Sequence, residues 1–199
     1  MLETEVKFHL NDLPAVRERL LAAGASGHKP RLYERNVRFD TAEESLLAED
    51  VLLRLRQDTA VRLTLKIPPT SSQESLQVKV MQEQEVSVSD FDTMSAILER
   101  LGYAPVQVYE KYRETFTLDG IEIVLDELPY GDFIELEGDE ATIRRLADRL
   151  GLDWDKRILT NYLALMGQLI QHHKLPFTDL TFANFADQPY HITDILPDG

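Results

Sequence analysis

The chain has 199 residues, 43% hydrophobic and 28% charged, a composition that supports one folded domain with a sizeable core and argues against wholesale disorder. Lys and Arg number 21 against 35 Asp and Glu, and the resulting formal charge of −14 opposes nonspecific attraction to nucleic acid or an anionic membrane, so any anion site must be local. Cysteine is absent, which excludes disulfides, zinc-thiolate sites and thiol catalysis. The opening Met-Leu-Glu-Thr-Glu-Val-Lys lacks the apolar core of a secretion signal, and no apolar run reaches membrane-spanning length. The expectation is a cytoplasmic protein with neither nucleic acid nor membrane as partner.

In chain order, Leu2, Thr4, Val6 and Phe8 alternate with Glu3, Glu5, Lys7 and His9, the period of a strand. Asn11 and Asp12, Pro14 in the first turn and Gly24 beyond the end bracket a helix over 14–23. The span 31–40 alternates less cleanly, with Tyr33, Val37 and Phe39 against Glu34, Asn36, Arg38 and Asp40. Two cleaner strands follow: Val51, Leu53 and Leu55 against Arg54 and Arg56, then Val61, Leu63, Leu65 and Ile67 against Arg62, Thr64 and Lys66. Residues 75–88 set Leu76, Val78, Val80, Val86 and Val88 opposite Lys79, Met81, Glu83 and Glu85. A helix over 91–101 follows Ser89 and Asp90 and stops at Gly102. Three more strands set Val106, Val108, Tyr112 and Phe116 against Lys111 and Arg113, Ile121, Ile123 and Leu125 against Glu122 and Asp126, and Ile134 and Leu136 against Glu135 and Glu137. A helix over 140–150 follows Asp139 and ends at Gly151; Leu159, Leu163, Met166 and Ile170 predict another over 159–173. Beyond it, Pro176, Phe177, Phe182, Phe185, Pro189, Tyr190 and Pro197 mark an irregular tail whose aromatics dock on the domain. The order strand, helix, three strands occurs twice, which hints at two similar halves. The division expected is a domain over 1–170 and a C-terminal extension over 171–199.

The ordinary reading of such strands is a sheet with one face in water. Against it stands the choice of polar residues. Glu3 with Glu5 and Lys7, Arg54 with Arg56, Glu83 with Glu85, Lys111 with Arg113, and Glu135 with Glu137 put charges two apart on one face. Like charges so placed repel strongly in a shielded site unless something of opposite sign lies between them. The apolar parity must also lie under the helices. Together these requirements predict an α+β protein whose eight antiparallel strands close into a β-barrel, a tunnel with its charged face inward and helices flanking the outside. Interleaved helices and the lack of aromatic girdles argue against a membrane barrel. Water, Mg²⁺ or Mn²⁺ and a polyanion are the natural contents, since clustered carboxylates suit hard cations and the Lys and Arg side chains suit phosphate oxygens.

Glu3-Thr4-Glu5-Val6-Lys7 resembles the ExExK signature of the CYTH family, the triphosphate tunnel metalloenzymes that include class IV adenylate cyclases and thiamine triphosphatases. The ordered set is more specific: Phe39-Asp40-Thr41, Leu53-Arg54-Leu55-Arg56, Leu63-Thr64-Leu65-Lys66, Glu83-Gln84-Glu85, Lys111-Tyr112-Arg113, Asp126, and the run from Gly131 to Glu137, with Asn161-Tyr162 where members often have Ser-Tyr. The resemblance covers residues 2 to 165. It implies an eight-stranded tunnel open at both ends, in which Glu3, Glu5, Asp126, Glu135 and Glu137 hold Mg²⁺ or Mn²⁺. It also implies that Lys7, Arg54, Arg56, Lys66, Lys111 and Arg113, joined by Arg38, bind a small-molecule triphosphate. Lys7, Glu3 and Glu5 are the implied catalytic centre, with Lys7 a candidate base; Glu83 and Glu85 either orient Arg and Lys side chains, the reading favoured, or contribute to a second metal. Two departures bear on substrate: thiamine triphosphatases carry a Tyr where Arg38 stands and a Trp where Leu52 stands. The His-Phe pair that some class IV cyclases carry ahead of ExExK is also missing.

Other candidates give bland readings. The five His residues show no metal-ligand spacing, and His172 and His173 fall near a helix end. Trp154 reads as packing, and Glu43, Glu44, Glu49 and Asp50 as a solvated loop; no P-loop or Rossmann glycine pattern is present. Three functions fit: a metal-dependent triphosphatase, a class IV adenylate cyclase making cyclic AMP from ATP, and a noncatalytic polyphosphate or nucleotide binder. Four retained carboxylates disfavour the binder. Hydrolysis is the reading chosen, because cyclisation needs nucleoside positioning that the sequence does not display.

Overall fold

The computed structural model describes residues 2–69 and 77–196. Its strands are β1 (Leu2–Leu10), β2 (Ser26–Asp40), β3 (Leu52–Gln57), β4 (Val61–Ile67), β5 (Lys79–Val88), β6 (Ala104–Leu118), β7 (Ile121–Leu128) and β8 (Gly131–Glu137). Helices α1 (Leu13–Ala22), α2 (Ser45–Ala48), α3 (Phe91–Arg100), α4 (Glu140–Arg149), α5 (Tyr162–His173) and α6 (Phe182–Phe185) lie between and after them. The strands close into an antiparallel barrel in the order β1-β5-β4-β3-β2-β6-β7-β8. Exchanging β1–β4 with β5–β8 maps this ring onto itself, which is the topological form of the two halves legible in the sequence.

The helix starts follow their caps. Asp12, Asp90 and Asp139 accept from the backbone N–H groups of Ala15, Thr93 and Thr142, fixing the starts of α1, α3 and α4. The last long helix starts later than its spacing predicts. Asn161 caps it through Ala164 N, while Ile158 bridges Lys7 of β1, so Leu159 belongs to an extended segment. The acidic segment read as a loop contains α2, whose first turns are capped by Asp40: its carboxylate accepts from the N–H groups of Thr41, Leu46 and Leu47. β5 is described from Lys79, so positions 75 and 76 of the predicted strand lie outside the described residues, as does Pro197.

The apolar parity points outward, as the charge pattern required. Val6, Phe8, Ile123, Leu125, Ile134 and Leu136 form a core with Val16 and Leu20 of α1 and Ile143 and Leu146 of α4. Val37, Phe39, Leu53 and Leu55 pack against Leu98 of α3. A third cluster joins Tyr109, Leu128, Tyr130 and Phe133 to Tyr162, Leu165, Met166 and Leu169 of α5, and to Leu180, Phe185 and Ile192 of the tail. Phe133 shares its register position with Asp126, and so its face, and its ring centroid lies 5.1 Å from that of Tyr162. These two rings occupy part of the interior at the end that α5 covers.

Leu20 is the clearest test of the outer shell, being 0% exposed in the α1 contact. Leu20→Ala is expected to cost about 2–5 kcal/mol, read from urea unfolding. A loss below that range would mean α1 contributes little to holding the barrel. Among the described residues, no helix is long and apolar enough to cross a membrane.

Candidate active site

Residues directly opposite in a ladder project from the same face, and the registers carry the charged positions around the barrel. Lys7 faces Glu135 and Glu5 faces Glu137 across β1–β8. Lys66 faces Glu83, Arg54 faces Arg38, Lys111 faces Glu34, and Arg113 faces Asp126. Every predicted site residue except Asp126 lines one cavity of about 1420 Å³.

One side of that cavity is basic. Arg38 and Arg54 are buried and lie opposite each other on β2 and β3; Asn36 lies opposite Arg56. Arg54 donates to Tyr109 Oη at 3.3 Å and Thr64 Oγ1 at 3.2 Å, and Arg56 donates to Glu85 at 3.4 Å. The Nε atoms of Arg38, Arg54 and Arg56, and both amide atoms of Asn36, are buried without hydrogen-bond partners. Burial lowers the pKa of Arg56, and the charge of Arg54 lowers it further. Buried donors with no acceptor, and Arg38 facing Arg54, mark a wall whose cations are only partly matched by its own carboxylates. Arg38 is partly spoken for, since Asp40 at 3.0 Å and Glu44 at 3.2 Å hold its other nitrogens.

The side made by β1 and β8 is acidic. Lys7 is 1% exposed, with Nζ 3.5 Å from Glu5 and 3.4 Å from Glu135. Burial opposes its charge, but these two carboxylates outweigh burial and raise its pKa. The structure therefore presents Lys7 as a cation held between Glu5 and Glu135. Lys66 is hydrogen-bonded to Glu3 and lies 2.8 Å from Glu83; Lys79 lies 3.0 Å from Glu5. Glu83 and Glu85 thus hold Lys66, Arg56 and Arg62, the last at 3.6 Å from Glu85. Burial pushes Glu3 to about 7 even beside Lys66, and burial with Glu3 and Glu122 pushes Glu137 to about 7. Carboxyls that hold protons near neutrality, in a donor set made only of oxygens, fit a hard divalent cation. Among the described residues, no three His, Asp or Glu side chains cage an ion by themselves. The reason is local, since Glu3, Glu5 and Glu135 are each drawn to a lysine or arginine.

Asp126 is the predicted site residue that does not line the cavity. It is 0% exposed, and its oxygens accept from Lys111 Nζ at 2.9 Å, Arg113 Nε at 2.6 Å and Tyr162 Oη at 3.0 Å. Saturated in this way, it anchors the two cations rather than facing the cavity. Arg113 also reaches Glu135 at 2.6 Å and so ties the basic side to the acidic one. Lys7 and Lys111 both approach the ring of Tyr162, with their Nζ atoms 5.2 and 5.3 Å from its centroid.

Five further residues here escaped the sequence reading as site residues: Glu34, Asn36, Lys79, Tyr109 and Tyr162. Parity placed Glu34 and Asn36 with Arg38, and Lys79 with Glu83, so the signal existed. Tyr109 has the parity of Lys111, but an aromatic in a polar row reads as packing. Tyr162 sits in the Asn161-Tyr162 motif, which had been assigned no role.

The CYTH domain model matches residues 1–152, and the chain belongs to the CYTH family. A "Putative adenylate cyclase" of Methanocaldococcus jannaschii is 27% identical over 179 residues, covering 84% of this chain and 99% of the relative. Adenylate cyclase CyaB of Aeromonas hydrophila is 28% identical, with 83% of this chain and 89% of the relative covered. Among solved structures, the "Putative adenylyl cyclase HpAC1 from Hippeastrum", described as revealing a dominant triphosphatase activity, superposes with a TM-score of 0.59. That match has 19% identity and covers 83% of this chain and 95% of the other, a likeness of fold.

Proposed function

We propose that the chain is a divalent-metal-dependent phosphohydrolase that removes the terminal phosphoryl group from inorganic triphosphate or a nucleoside triphosphate. The observation that carries this reading is the opposition, inside one cavity, of a basic wall with unpartnered guanidinium Nε atoms and a carboxylate wall on β1 and β8. Arg54, Arg56, Lys111 and Arg113, with Arg38 and Lys66, bind the phosphate oxygens. Glu3, Glu5, Glu135 and Glu137 hold Mg²⁺ or Mn²⁺. When bound, the cation neutralises phosphate charge and polarises the phosphoryl oxygens. Lys7, held as a cation between Glu5 and Glu135, adds positive charge where the transferring phosphoryl group needs it. Arg113 and Lys111 are kept in place by Asp126, itself fixed by Tyr162, so the basic wall is ordered before substrate arrives.

A second reading, adenylate cyclase, is favoured by the names of the two sequence relatives. The two reactions differ in which phosphorus is attacked. Cyclisation also needs a ribose 3′ oxygen held in line with the α-phosphorus. Product analysis with inorganic triphosphate, ATP and thiamine triphosphate, each with Mg²⁺ and with Mn²⁺, separates them. The expected result is orthophosphate from inorganic triphosphate and no cyclic AMP from ATP. Cyclic AMP as the main ATP product would establish the cyclase instead, and tight binding without turnover in every arm would leave a binding protein.

A further inference from the structure

Glu34 is a cavity residue that phosphate binding leaves unused. It is 4% exposed on β2, facing Lys111 in the register, and it lines the cavity. Its carboxylate lies within the basic wall, with Arg56 Nη1 3.8 Å from Oε1 and Lys111 Nζ 3.8 Å from Oε2. Both separations exceed hydrogen-bond length, and Oε2 has no hydrogen-bond partner. The contrast with its neighbours is informative: Glu85 accepts from Thr64 at 2.9 Å, and Asp126 is saturated. Burial favours the protonated form of Glu34, yet Lys111, Arg113, Arg56 and Arg54 keep it ionised. An ionised, buried oxygen that accepts nothing is costly. On a wall that meets phosphates, it also repels the ligand. Both costs are offset if the oxygen accepts a hydrogen in the complex. An ionised phosphate chain has none to give, so the donor is a hydroxyl of the attacking species.

We propose that Glu34 is a catalytic residue, its Oε2 accepting a hydrogen bond from the water that attacks the terminal phosphorus. The proposal rests on the hydrolase reading above. The water oxygen's lone pair forms the new bond to phosphorus, the bridging P–O bond breaks, and its electron pair stays on the departing diphosphate. The water's proton passes to Oε2 and from there to solvent, leaving orthophosphate. In a loose transition state the attacking water is placed more than it is activated, so a carboxylate held ionised by four cations is suited to the task.

The rival role is a counterion that spaces Lys111 and Arg56, and kinetics distinguish the two. Glu34→Gln removes the proton acceptor and a negative charge that faces phosphates. With inorganic triphosphate and Mg²⁺, kcat should fall on the order of 10²-fold or more while KM stays the same or decreases. Formate should restore part of the turnover of Glu34→Ala, a rescue that a merely spacing role does not give. Wild-type kcat in Glu34→Gln, or a raised KM with kcat intact, overturns the proposal. Should Glu34→Gln fail to fold, the presence or absence of formate rescue in Glu34→Ala decides. Wild-type protein that releases no orthophosphate with either Mg²⁺ or Mn²⁺ refutes the hydrolase reading, and this inference with it; active wild type beside an unaffected variant refutes this inference alone.

Discussion

Arg54→Ala is expected to lower kcat/KM for triphosphate on the order of 10²-fold while leaving thermal stability nearly unchanged. This combination follows from what the side chain touches. Arg54 is 8% exposed, it lies opposite Arg38, and its Nε has no partner. Its removal orphans no anion: Glu85, 3.9 Å away, keeps Arg56 and Arg62 and still accepts from Thr64, and Glu34 keeps Arg56 and Lys111. Tyr109 and Thr64 each lose a donor, a modest cost. Arg113→Ala makes a poorer test. It would uncover the buried charges of Asp126 and Glu135, and breaking a buried pair on one side costs about 3–5 kcal/mol, mixing stability with catalysis. Orthophosphate release and a melting curve of Arg54→Ala suffice. Wild-type kcat/KM would show that the guanidinium does not meet the substrate and that the basic wall serves another purpose.

The outward apolar parity and the inward charged rows were legible because period two sorts residues into faces, and paired like charges decide which face is enclosed. Val6 and Phe8 against Glu5 and Lys7 carry that distinction by themselves. Register was not legible. Whether Arg38 meets Arg54, and whether Lys7 meets Glu135, depends on pairing between strands far apart in the chain. In the β2–β6 ladder it depends also on shifts between Gly27 and Lys29, Lys29 and Leu32, and Arg38 and Phe39. The last two of those shifts touch the span that alternated least cleanly, which holds Glu34 and Asn36. The contacts of Asp126 were not legible for a similar reason. A motif position implies a ligand, while the hydroxyl that saturates it comes from Tyr162, a residue 36 positions later in the chain. Phe133 shares the face of Glu135 and Glu137, but α5 crosses that end of the barrel and turns the position into packing. Local periodicity carries no information about that crossing.

Glu137→Gln should raise stability in the absence of metal and lower metal-dependent turnover, two effects of opposite value from one atom change. Glu137 forms no ion pair among the described residues. Burial first, then Glu3 and Glu122, push its carboxyl from 4.5 to about 7. Between those values the folded protein holds a proton that the unfolded chain has released, so the native state binds more protons and stability falls as pH rises. The stabilising contribution is complete below pH 4.5 and is lost as pH passes through about 7. His9, whose pKa burial lowers, pulls in the opposite direction, which makes the difference between wild type and variant the proper readout. In chelator, the two proteins should melt together near pH 4.5 and separate at pH 8, with Glu137→Gln the more stable. Mg²⁺ at pH 8 should then stabilise wild type more than the variant, because the cation replaces the missing proton only where a carboxylate is present to receive it. Turnover should fall on the order of 10²-fold under the same conditions, since charge that stabilises the transferring group is lost with the cation. If the variant instead melts below wild type at pH 8 in chelator, Glu137 is a structural partner, and the acidic wall is balanced by its lysines alone.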